Sequence, residues 1–234
     1  MAGSVATEAP SGLRTETVQR YGRPARWFHA LVYLSVLVLL ATGWWLTLGH
    51  EGQPSPLSAA TGVPDTVLHT WTGWALTGIV VLGLLLGSRS AVTFVRESVE
   101  FGPGDRRWLT SLPKAMLTGR FRWHGGRYDP GQRIANLAIV GLLALLVVTG
   151  VGMAVLHGGQ AFVVLVRVHR WSTYALTPVL LGHILVALGI LPGYRGVWRS
   201  MHLGGRLPVA VARRLWPGWL DGLSSRAGSR PARR

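Results

Sequence analysis

Apolar residues run without a single Asp, Glu, Lys or Arg through residues 27–50, 66–88, 134–166 and 171–194, and the charged residues crowd into the segments between. Each run reaches the roughly 20 residues that a helix needs to cross a hydrocarbon core about 30 Å thick. The third is too long for one span, and Gly158 with Gly159 marks where a helix ending near His157 gives way to a loop. The pattern predicts four helices, at about 25–48, 66–88, 131–156 and 165–192. Pro54, Pro56 and Pro64 predict a non-helical first connection, because proline lacks the amide proton and clashes with the preceding turn. The fold class expected is an all-α integral membrane protein, a four-helix transmembrane bundle.

Between the second and third spans the stretch VRESVEFGPGDRRWLTSLPKAMLTG has enough periodicity for one or two short helices lying at the membrane interface. The tail segment MHLGGRLPVAVARRLWPGW is basic and tryptophan-containing, and is expected to lie against the membrane surface or a partner. Three parts follow: a cytoplasmic extension over 1–24, polar and partly disordered; a membrane domain over 25–195 that includes a cytoplasmic loop at 89–130; and a basic cytoplasmic tail over 196–234. A secretory signal does not fit the first apolar run, which is too long and is followed by three others like it.

Charge sets the orientation. Arg14, Arg20, Arg23 and Arg26 precede the first span, nine Lys/Arg lie from Arg89 to Arg133 and nine from Arg195 to Arg234, whereas the other two connections share only Arg167 and Arg170. The positive-inside rule then places both termini and the central loop in the cytoplasm, as a multi-pass protein of the bacterial inner membrane. A sequence pI near 11.7 with a net charge of +15 raises nucleic acid as a partner, but the excess is all on the inner side. Anionic lipid headgroups are the expected partner, and no nucleic acid.

The 234 residues include no cysteine. Disulfides, cysteine-ligated iron–sulfur clusters and thioether-attached haem are thereby excluded from this chain. Any electrons it handles come from another protein or a diffusible molecule. Of eleven tryptophans, Trp27, Trp44, Trp45, Trp71, Trp171 and Trp198 fall near span ends, where amphipathic rings anchor at headgroup level. Gly83, Gly87, Gly150 and Gly152 permit either close helix approach or a flat macrocycle between helices.

Four histidines carry the chemistry. His169 and His183 share the fourth span, fourteen residues and so about 21 Å apart along the axis, on nearly one face. His29 lies at the start of the first span and His69 at the start of the second. Ionisable groups at membrane depth are costly and mark function, and imidazole ligates iron. Topology pairs them by depth, His69 with His169 at the outer side and His29 with His183 at the inner side. The constellation predicts two haems b, each iron held by two histidines and so suited to electron transfer rather than oxygen activation. The inner depths agree only with helix tilt and a helical approach beginning near Val18. His50, His124, His157 and His202 are expected at the surface.

The chain resembles the cytochrome b (gamma) subunit of membrane-bound formate dehydrogenases and its wider relatives that serve nickel–iron hydrogenases and thiosulfate reductases. The resemblance covers about residues 18–220. It rests on RWFHALVYLSVLVLLATG, the His69 helix, YDPGQRIANL, the TG of VVTGVG, the pair His169 and His183, YRGVWRSMHLGG and WPGW. It implies an anchor that passes electrons from an iron–sulfur beta subunit, itself fed by a molybdenum or tungsten catalytic alpha subunit or by hydrogenase subunits, to menaquinone or ubiquinone. In that family an Asn-x-Gly-Gln element at the start of the third helix borders the quinone. Carried over, it implicates Gly131 and Gln132, with Asp129 standing where the asparagine would be. Asp129 before Pro130 is equally a helix cap. Two other functions fit the residues: a stand-alone di-haem oxidoreductase linked to quinol, and a haem-free transporter or anchor.

Overall fold

The structure is a computed structural model that describes residues 16–50 and 52–228. Four long helices form the body: α1 (Arg23–Thr47), α3 (Asp65–Val99), α5 (Pro130–Leu156) and α6 (Gly159–Ala187), with α2 (Pro56–Thr61) between the first two. Helices α1, α3 and α5 are each long and apolar enough to cross a membrane. Helix α6 makes a fourth candidate span when taken with the segment Pro192–His202, which is bent 59° from it. Neighbours pack in the order α1, α3, α5, α6, with α6 returning to α1. The apolar side chains on the outer faces are left bare, Leu86 at 88 % exposure among them. That is tolerable only in lipid, where such a surface costs nothing.

Local chemistry explains the helix starts and two departures from expectation. Asp129 accepts the Gln132 amide at 2.8 Å and Pro130 opens α5, so cap and first turn are preorganised. The first connection is helical after all, correcting the expectation drawn from its prolines. Pro56 occupies the first turn, where no amide proton is needed, Ser55 caps it by accepting from Ser58, and Gly62 ends it at φ +70°. The link from α5 to α6 is also far shorter than expected: α6 begins at Gly159, because His157 takes the left-handed conformation at φ +50° and reverses the chain within two residues.

Helix α3 overruns its predicted end by a further eleven residues and bends at Gly87, whose φ of −119° and ψ of 23° depart from the helix. Beyond it come α4 (Asp105–Thr118), α7 (Arg199–His202), α8 (Val209–Leu215) and α9 (Pro217–Gly228). Residues 17–19 form β1 and pair antiparallel with β2 (Arg206–Pro208), Val18 opposite Leu207. The helical approach expected from Val18 is therefore a strand. The rest of the expected N-terminal extension, residues 1–15, lies outside the described residues.

The tail does not simply rest on the membrane. Val197, Leu207, Ala212, Leu215, Trp216 and Leu220 close with Tyr194 into a core of their own. Arg20 is enclosed there, its guanidinium carbon 4.2 Å from the Trp216 ring and 4.3 Å from that of Trp219. Cation–π attraction offsets part of the cost of burying this charge. Burial is also what lowers its pKa.

Candidate haem sites

Helix geometry brings the four histidines together in two pairs. The His69 and His169 ring centroids are 6.2 Å apart, and those of His29 and His183 are 6.4 Å apart. Two imidazoles binding one metal ion from opposite sides, with bonds of about 2.0–2.1 Å, place their centroids about 6.3 Å apart. Both pairs have that spacing. The depth conflict at the second pair disappears because α6 stops at Ala187, only four residues past His183, while His29 lies six residues into α1.

At the first pair the side chains behind the rings are set as well. The Thr42 hydroxyl lies 2.9 Å from His69 Nδ1, and that of Thr149 lies 2.8 Å from His169 Nδ1. Each threonine is followed by a glycine against the same ring. A Cβ on Gly43 would stand 3.1 Å from His69 Cε1, and one on Gly150 3.5 Å from His169 Cε1. In the sequence both threonines fall within the segments that carry the resemblance, but neither was given a role. The signal was present, since the dipeptide Thr-Gly recurs near the same end of the first and third spans.

A cavity of about 410 Å³ surrounds this pair, lined mainly by aliphatic residues with Gly73 and Arg170. Its size falls within the range of small-molecule sites. Among the described residues no group of three or more His, Asp or Glu is arranged to hold a bare metal ion. Two opposed imidazoles leave a plane of positions for a macrocycle's own nitrogens to fill. An apolar slot with one cation, Arg170, suits a flat apolar ring carrying carboxylates.

The second pair has different neighbours. Tyr33 lies 5.5 Å from His29 and 6.0 Å from His202, ring to ring, and Phe28 packs onto Gly83. The expectation that His202 is a surface residue holds for its exposure, but it stands next to this site. His124 overturns the same expectation. It is 3 % exposed, with Nδ1 3.1 Å from the Gly125 carbonyl and Nε2 2.8 Å from that of Leu215.

The residues expected at a quinone site lie together at the start of α5. Asp129 is buried, Gly131 lies against Trp108, and the Gln132 Oε1 accepts from Trp216 Nε1 at 3.1 Å. Among the described residues no hydrogen bond or ring contact joins them to His29 or His183. Burial pushes the Asp129 carboxyl above its ordinary range, against the opposing pull of the Gln132 amide and of His124, Arg20 and Arg133. Tyr128 is pushed up to about 12 and Tyr194 upward, both chiefly by burial. Neighbouring Arg133 holds the loop: it donates to the carbonyls of Tyr128, Glu100 and Gly125 and to Asp105 Oδ2 at 2.9 Å.

A bundle of membrane-length helices with two pairs of histidines facing each other across it has the architecture of a b-type cytochrome. The family model for prokaryotic cytochrome b561 matches residues 20–204, most of the chain, and the protein belongs to that family of membrane haem proteins of electron transport. No curated protein matches the sequence.

Proposed function

We propose that this chain is the membrane anchor and electron-transfer subunit of a respiratory complex, linking an iron–sulfur partner on the outer face to a quinone near the cytoplasmic face. The observation that carries this reading is the pair of imidazole pairs, each at the spacing of a bis-histidine site and separated along α6 by about 21 Å. Haem supplies reversible one-electron chemistry when bound at such a pair. His69 and His169 would hold the outer haem, and His29 and His183 the inner one. Arg170, at the cavity wall, would neutralise a propionate at the outer site.

In this reading the quinone is seated by Gly131 and Gln132, and the buried Asp129 supplies a proton from the cytoplasmic side. The complex served is a formate dehydrogenase, on the strength of the long central loop and the DPGQ element, with a nickel–iron hydrogenase as the nearest alternative. Both termini face the cytoplasm, where the positive charge is concentrated.

Reduced-minus-oxidised spectra of the purified chain test the reading. The expected result is two haems b per chain. His69→Ala or His169→Ala should remove one and His29→Ala or His183→Ala the other, so that haem content falls by about half in each. A protein without a reducible b-type spectrum, or single variants that leave both haems in place, overturns it.

A further inference from the structure

We infer that Thr42 and Thr149 are a matched pair of positioning residues that hold His69 and His169 as Nδ1–H tautomers and lower the reduction potential of an iron bound between them. The inference rests on the reading of this pair as a haem site. A hydroxyl has one proton to donate. Thr42 Oγ1 lies 2.8 Å from the Val38 carbonyl and Thr149 Oγ1 2.7 Å from that of Leu145, each the acceptor one turn back. With the proton spent there, the oxygen meets the ring nitrogen as an acceptor, so Nδ1 must donate. Nε2 is then left unprotonated, with its lone pair free for a metal.

The same bond tunes the ligand. An imidazole whose Nδ1–H is drawn toward an acceptor becomes more basic at Nε2. A hydroxyl already donating to a carbonyl is a stronger acceptor than a free one. A more electron-rich axial ligand favours ferric over ferrous iron, which lowers the potential. Thr42 is 0 % and Thr149 2 % exposed, so no solvent water replaces either hydroxyl.

Two features separate this from incidental helix back-bonding, which threonine often shows in spans. The arrangement occurs twice around one centre, on α1 against α3 and on α5 against α6, each time with a glycine next in sequence against the ring. The other pair does not have it: among the described residues neither His29 nor His183 has a hydrogen-bonded ring nitrogen. The tuning therefore applies to one haem of the two.

The test is a spectroscopic redox titration of Thr42→Val and Thr149→Val, which keep side-chain shape and remove the hydroxyl, leaving only the backbone carbonyls of Leu39 and Leu146 beside the two rings. It is read in the full chain and again with His29→Ala added, so that the affected haem is observed alone. The expected result is unchanged haem content with the midpoint raised at the His69–His169 haem only. At the wild-type midpoint its reduced-to-oxidised ratio should rise roughly three- to tenfold, a tenfold change being about 59 mV for one electron. Thr42→Ser and Thr149→Ser should keep the wild-type value. An unmoved midpoint with haem present overturns the inference alone, as does an equal shift at both haems. A wild-type chain with no haem at this pair overturns the inference together with the reading beneath it. If a valine variant loses haem, the serine variants decide: a wild-type midpoint supports the role of the hydroxyl, and loss of haem from them too overturns it.

Discussion

Asp129 does two things that one substitution separates. As the cap of α5 it accepts the Gln132 amide, a role that asparagine fills as well and alanine does not. As a buried carboxyl its pKa is raised above 3.8, so the folded protein holds this proton more tightly than the unfolded chain. Its contribution to stability is therefore greatest below the unfolded pKa, falls as pH rises through the interval up to the raised folded value, and is flat beyond it. Asp129→Ala should cost about 1 kcal/mol through the lost cap. Asp129→Asn should keep the cap and gain on the wild type as pH rises through that interval. Thermal unfolding in detergent across pH checks both, and a wild-type-to-Asn difference independent of pH would contradict the burial argument. The four histidines were legible as residues because ionisable groups stand out in apolar runs. Thr42 and Thr149 carried no legible role, because threonine is ordinary in a span and only proximity to an imidazole gives it one.

Among the elements, the spans were the easiest to read. Lipid requires each crossing segment to satisfy its own backbone hydrogen bonds, so length and apolarity alone identify a helix. The connections were harder. Helix α2 was hidden by a rule about proline that does not apply in the first turn, where no amide proton is needed. Helix α6 extends six residues beyond its expected start because a left-handed His157 makes the turn. The loop between α3 and α5 is held by Arg133, whose one ion pair among the described residues is with Asp105, a buried pair at 2.9 Å. Removing one member of such a pair strands the other. Arg133→Leu should destabilise this loop by about 3–5 kcal/mol, seen as faster proteolysis within residues 100–128. The double variant Arg133→Leu with Asp105→Leu should recover part of that loss. Equal proteolysis of the single variant and the wild type would show that the loop is held by something else.

Across the whole molecule, the orientation proposed from charge can be read directly, since the chain has no cysteine to interfere. Pro54→Cys should react with a membrane-impermeant maleimide on intact cells freed of their outer barrier. Gly222→Cys should react only after the membrane is opened, and the reverse pattern would invert the topology. Apolar run length was enough to mark the candidate spans and their rough limits, because each depends on a segment's own composition and the solvent it meets. Topology anticipated the pairing of His29 with His183, and tertiary structure decided how they meet, through an early end to α6. It also decided that β1 pairs with β2 some 190 residues away, that Trp216 and Trp219 enclose Arg20, and that two threonines stand behind one pair of rings. Each of these is a contact between distant segments, and which of the many possible distant contacts forms is set by packing the whole chain at once.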